Sequence, residues 1–395
     1  MHAIAYVRVM IIPVALLLMV AACTEASDDD DGTDAGAEAS PTPVETSDEQ
    51  TGESLGLEEN DVASVPCEVR ELEPPRDDAP ETDLERVQEW QETATTFNDV
   101  TIGQDGRFYI GSYRHGSVLV LNEEQQLADV WTDGVRNSQP QIETHPDGRI
   151  LLLQDNGLHF FEPDGEHQKY LSMFDGDAGW FPEYGGLGVD SDGHFYVGLD
   201  REEFLVKLDE ECSVLGRWSD EEYSGPVAVA VDGNDLVYAL ERDIGRAAVS
   251  VRDGADDVVG EWTIQAPDED AVSASITGLP NGGMAKIWVI AEENPDRDPQ
   301  ARAVAEFIVE HYSAEGELIA EWAATDSGAP EILAQPLGMT VEADGTTHIV
   351  DHAVGEHRMR MHSFDSDGQF IDEWRLDSDE ALCDFIDDDA RIGGC

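Results

Sequence analysis

The chain has 395 residues, 41% of them hydrophobic, and carries 87 acidic against 22 basic side chains, a formal net charge of −65. Such a surface repels phosphate backbones and anionic headgroups, which excludes nucleic acid as a partner. The acidity is spread along the whole chain and only three lysines occur (Lys169, Lys207 and Lys286), as expected of a hydrated, self-repelling shell suited to salty surroundings; a cation-binding surface is the competing reading.

Val9 to Ala22 is apolar apart from Pro13 and follows a single basic residue, Arg8. The run is short for a membrane span and right for a secretory h-region. It ends in Val20-Ala21-Ala22-Cys23, which resembles a bacterial lipobox; an ordinary signal peptide cut near Ala22 is the alternative. That resemblance implies a signal peptide over 1–22 and a lipid on Cys23. It also implies export and anchorage to the bacterial cell membrane, facing away from the cytoplasm, with several acyl chains holding stably where one would not.

Residues 23–66 follow, with 14 acidic and no basic side chains from Thr24 onward. They have little to bury and much self-repulsion, so they read as a disordered acidic tether. The run Asp28 to Asp31 reads as solvated spacer rather than as a calcium site.

The folded region spans 67–395. Export implies an oxidising compartment, so Cys67, Cys212, Cys383 and Cys395 are disulfide candidates with three possible connectivities. Their placement suggests bonds that fasten the termini. No CxxC spacing supports a metal site.

From residue 94 a unit recurs six times: strand, tight turn, strand, loop, strand, turn, strand. The first turn is marked at Asp105-Gly106, Asp147-Gly148, Asp192-Gly193, Asp232-Gly233, Asn281-Gly282 and Asp344-Gly345, dipeptides that supply a positive φ. The fourth strand closes at Trp131, Phe174, Trp218, Trp262, Trp322 and Trp374, rings placed to fill the gap between neighbouring sheets. A repeat of this kind predicts an all-β chain, a six-bladed β-propeller of four-stranded antiparallel blades. The blades fall at about 94–134, 135–178, 179–221, 222–267, 268–327 and 328–378, with a tail over 379–395. A further strand-like piece, Glu85 to Trp90, could close the ring beside the last blade.

Gly186-Leu-Gly-Val-Asp-Ser-Asp-Gly-His-Phe-Tyr-Val197, and Asp351 followed by His357-Arg358-Met and Phe364, are similar to the NHL repeat over about residues 94–378. The likeness is good in units three and six, fair in one and four, and weak in two and five. It implies a ligand face made by the second-to-third strand loops and the between-blade loops. The candidates there are Tyr113, Arg114, His115, Arg201, Arg242, Asp243, Asp351 and His352. Related propellers include lactonases and lyases that hold calcium or zinc at this mouth. His115 and His352 are too few for zinc, whereas Asn98, Asp99, Glu183 and Asp243 offer oxygens that could converge on calcium. The longest departures from the repeat are Trp180 to Tyr184 and the insertion Glu292 to Arg302, where function tends to concentrate. The expected role is a binding or scaffolding module for a protein or small-molecule ligand at the cell surface. A divalent-metal hydrolase or lyase is the runner-up.

Overall fold

Short apolar strands joined by tight turns bury both faces only when sheets stack side by side, and this chain stacks six of them. A computed structural model describes residues 67–71, 97–112, 117–131, 140–154, 157–172, 184–199, 204–218, 226–243, 246–255, 257–268, 271–292, 303–323, 327, 336–353 and 358–376. All belong to one of the two compact units of the chain, Glu59–Glu293 with Arg302–Cys395. Among them there is no helix, and the 25 strands form six antiparallel sheets of four consecutive strands, one of which carries a fifth.

The innermost strands are Phe97–Ile102, Gln141–Thr144, Tyr184–Val189, Pro226–Val231, Ala271–Gly278 and Pro336–Val341. Each lies beside the next, and the last lies beside the first, so the six sheets are the blades of a closed propeller. The middle strands are covered on both faces. Phe108–Ser112, Ser117–Leu121, Ile150–Gln154, Gly157–Phe161, Phe195–Leu199 and Phe204–Leu208 are buried at every residue, which is why they read as apolar runs rather than as alternation.

All six inner turns share one hydrogen-bond pattern. The residue opening the turn donates its N–H four residues on and accepts from three residues on, as in Gly103 with Arg107 and Gly106. The third residue after the opening one takes the left-handed conformation. It is glycine in five blades, Gly106, Gly148, Gly193, Gly282 and Gly345, and Asp235 in the fourth. The Asp232-Gly233 marker therefore lies two residues out of phase. Gly233 serves close approach instead, because a Cβ there would lie 2.0 Å from the Pro280 carbonyl oxygen.

The seams between blades follow a rule of their own. The closing tryptophan of one blade lies on the glycine of the next blade's outer turn: Trp131 on Gly165, Trp262 on Gly316, Trp322 on Gly368. These glycines have φ of +88°, +82° and +76°, and a Cβ on any of them would sit 2.3–2.6 Å from the nearest indole atom. Between blades two and three the pattern changes. The corresponding turn residue is Cys212, held at φ 65°, and it forms a disulfide with Cys67. Cys67 leads into Glu68–Glu71, which pairs antiparallel with the outer strand His167–Ser172 as the fifth strand of blade two. The extra strand expected at Glu85 to Trp90 lies outside the described residues, as do Phe174, Cys383 and Cys395. The ring closes by packing of the inner strands, and Trp374 lies in the outer strand Phe370–Leu376 of blade six.

Among the described residues several cations sit inside, whereas Arg246 is exposed. Lys207, Lys286 and Arg360 are 5%, 0% and 3% exposed, and Arg149 and Lys169 are held in the seam between blades two and three by Glu210. Attraction is thus sheltered from salt while repulsion faces the solvent. Raising NaCl from about 0.1 M to about 1 M should therefore raise the midpoint of thermal unfolding, since the Debye length falls from about 10 Å to about 3 Å; a midpoint that falls would contradict this arrangement. Gly368→Ala should cost about 1–3 kcal/mol, through a strained φ and a clash with Trp322, and lower the melting temperature by several degrees in calorimetry.

Candidate functional site

Tyr113, Arg114, His115, Glu183 and Arg201 lie outside the described residues, as does Cys23. Arg242 and Asp243 end the second strand of blade four, and His352 lies on Thr347–Ala353, with only their backbones described. Asp351 is fully buried, and Arg360 donates to its Oδ2 at 2.6 Å. Its arginine partner is thus Arg360, two residues beyond the Arg358 of the motif. Beside this pair, His362 is pushed down to a pKa of about 3 by burial, with the charges of Arg360 and Arg375 adding to it.

Counting from the residue that opens each inner turn brings the blades into register. Four and two residues before it stand Gly186 and Gly188, Ala228 and Ala230, Ser275 and Thr277, and Gly338 and Thr340 in blades three to six. Small side chains belong there because neighbouring inner strands nearly touch; a Cβ on Gly186 would lie 2.1 Å from the Val229 nitrogen. Blades one and two depart from this with Asp99, Gln141 and Glu143. Asp99 Oδ2 accepts from the Ile142 N–H at 3.1 Å across the seam, and its Oδ1 accepts from Val100 N–H at 3.0 Å.

Both residues lie on innermost strands and are partly buried. Burial raises Asp99 to a pKa of about 7 against its two amide donors. Burial, and then the nearby charge of Asp99, raises Glu143 to about 8. Near neutral pH Glu143 therefore holds its proton and can donate, while Asp99 is only partly protonated. Asp99 belonged to the expected calcium set; Glu143 and Gln141 did not. Aligning the units by their turns would have found them, because each is a large polar residue at a small-residue position.

Other polar clusters have catalytic or metal-like geometry without access. Ser363 Oγ lies 2.9 Å from His348 Nδ1, and His348 Nε2 lies 2.7 Å from Glu342 Oε1, the spacing of a Ser-His-Glu triad. Its accessibility is inverted: Ser363 is 1% exposed and held by the amide of Gln125, while Glu342 faces solvent. It works as a relay fastening blade six to blade one. Asp190 with Tyr196 and Asp232 with Tyr238 repeat the acid-to-ring link six residues on, at 3.0 and 2.8 Å. In blades two and five these positions hold His145 with Leu151 and Leu279 with Ala285, which is why those units read as the weakest copies.

His145, Asp147 and Glu210 lie close enough to hold a cation, but Arg149 already bonds both carboxylates and Lys169 lies 2.6 Å from Glu210. The hydrogen bonds of Arg149 and His145 hold Asp147 below the usual carboxylate range even though partial burial opposes them.

No protein-family model matches the chain, and no curated protein matches it. Among solved structures it is similar to virginiamycin B lyase from Staphylococcus aureus, at 13% identity over 80% of this chain and 91% of that one, TM-score 0.47. A streptogramin B lyase is similar at 12% identity over 80% and 89%, TM-score 0.48. Kuenenia stuttgartiensis hydrazine synthase is similar at 18% over 69% and 77%, TM-score 0.48. At these identities the likeness concerns the propeller fold alone.

The carboxyl pair makes stability depend on pH. Both groups bind protons more tightly in the folded state than at their ordinary values of 3.8 and 4.5. Their contribution is complete below about pH 4 and is lost as pH rises through 7 and 8. Glu143→Gln should flatten this decline and raise the unfolding free energy at pH 8 by up to about 4 kcal/mol, less where water screens the charge. Denaturant titrations at pH 5 and pH 8 read the difference; an equal effect at both would refute the assignment.

Proposed function

We propose that the protein is an exported lipoprotein whose six-bladed propeller is a ligand-binding module held off the membrane by an acidic tether. The observation that carries this reading is the order of its parts. Val20-Ala21-Ala22-Cys23 is followed by the acidic residues 24–66, and the folded region then opens at Cys67. A lipid at Cys23 would fix the chain to the outer leaflet, and the self-repelling tether would keep the propeller in solvent.

Within the propeller, the channel flank formed by Asp99, Gln141 and Glu143 supports binding of a ligand rich in hydrogen-bond acceptors. The protonated Glu143 carboxyl and the Gln141 amide can both donate there, and Asp99 joins them as it takes up its proton. A small molecule, or a loop of another protein entering the channel, meets that description.

The full chain expressed in a bacterial host should enter the detergent phase of a Triton X-114 separation, and Cys23→Ser should move it to the aqueous phase. Continued detergent partitioning of the variant would remove the lipid anchor from the proposal.

A further inference from the structure

Among the described residues only blade two carries a fifth strand. Glu68–Glu71 lies along the outer edge of His167–Ser172, with Glu68 opposite Ser172 and Glu71 opposite Lys169. That strand has little of its own to hold it. It has four residues, and its one apolar side chain, Val69, is 43% exposed. An edge strand so short, with so little apolar area to bury, frays from a sheet in water. What keeps it in place is the bond from Cys67, the residue before it, to Cys212.

The seam behind that bond has fastenings of its own. Glu210 of blade three is bound by Arg149 of blade two and, at 2.6 Å, by Lys169. Leu153 and Phe160 of blade two share an apolar core with Leu187, Phe195 and Val206 of blade three. Blades two and three are therefore joined whether or not the disulfide is made. The disulfide itself sits at the surface. Cys67 and Cys212 are each partly exposed, and Cys212 stands in a tight turn between the exposed Glu211 and Ser213. A small thiol can reach it there, and what the bond uniquely holds is the segment that precedes the ring.

We infer that the Cys67–Cys212 bond is a redox-sensitive latch. Made, it pins Glu68–Glu71 to blade two; broken, it lets that strand leave while the propeller stays closed. The reductant is a dithiol. One of its thiolates attacks a sulfur of the bond and forms a mixed disulfide, and the other cysteine departs as a thiolate and takes up a proton. The second thiol of the reductant then closes on the first, which frees the remaining cysteine. Two electrons and two protons thus pass from the dithiol to Cys67 and Cys212, and the dithiol becomes a disulfide. With the bond made, a pull on the residues ahead of Cys67 is borne by a covalent link to blade three. With it broken, the pull is borne by four residue pairs of one edge strand. The latch goes beyond the binding reading and is independent of the lipid anchor.

The test is hydrogen–deuterium exchange of the full-length protein, read by mass spectrometry with and without dithiothreitol, with alkylation and peptide mapping to show that Cys67 and Cys212 have become thiols. Reduction should speed exchange of the amides in 67–71 and 167–172 at least ~10-fold and leave peptides from blades four to six unchanged. The Cys67→Ser, Cys212→Gly double variant removes this bond alone, and it gives the turn the residue that blades two, five and six have there, Gly165, Gly316 and Gly368. Without reductant it should exchange as the reduced wild type does. A bond that dithiothreitol leaves intact in the folded protein overturns the proposal, and so does protection that persists at 167–172 once both thiols are free. Exchange that rises across all blades, or protection kept by the double variant, overturns it as well. The reduced wild type decides the matter even if the variant fails to fold.

Discussion

The structure depends on how one blade meets the next. A four-stranded sheet of five-residue strands cannot be stable with either face in water, so each blade needs both neighbours. The tryptophan that ends one blade reaches the outer turn of the next, and the turn glycine both supplies the left-handed φ and leaves room for the indole. One residue type thus satisfies the turn and the seam together. At the seam between blades two and three the same turn position holds a cysteine, and a covalent bond to Cys67 joins the two sides. The loop this closes spans 145 residues, so the crosslink restricts the unfolded chain strongly, by about 5 kcal/mol in the chain-entropy description. A non-glycine residue in the left-handed region costs roughly 1–2 kcal/mol, well below that gain.

The charge distribution follows from the same geometry. With a net charge of −65, outward-facing lysines would stabilise a few surface pairs that salt screens away. The lysines and several arginines instead sit in the seams, where carboxylates, rings and hydroxyls surround them. Buried polar groups of this kind mimic active sites. The Ser363-His348-Glu342 relay has catalytic distances and no access, and the His145 cluster has ligand spacing but already holds two cationic side chains. Access and charge balance, rather than distance alone, separate these structural networks from the carboxyl pair on the innermost strands.

Much of the fold was legible in the sequence because turn chemistry and the aromatic period are local. The limits were local ambiguities. In Asp232-Gly233-Asn234-Asp235 two residues can take the left-handed position, and the hydrogen-bond register selects Asp235. Arg358 and Arg360 lie on one strand, and only pairing across to Asp351 distinguishes them. Glu143 and Lys286 were visible in principle once the units were aligned by their turns, since each breaks a position that is small or aliphatic in the other blades. Their surroundings were not, because Ser273 and Lys286, like Asp99 and Ile142, meet through strand pairing and ring closure.

By itself the sequence determined the number of blades, the strand order within each and the residues that form the turns, since each is set by contacts within a few positions along the chain. The tertiary structure alone decided which partners the buried charges take. It also decided that Cys67 bonds Cys212 and that Glu68–Glu71 joins blade two. Those outcomes depend on distances between residues far apart in sequence, and ring closure fixes such distances only when all six blades are in place.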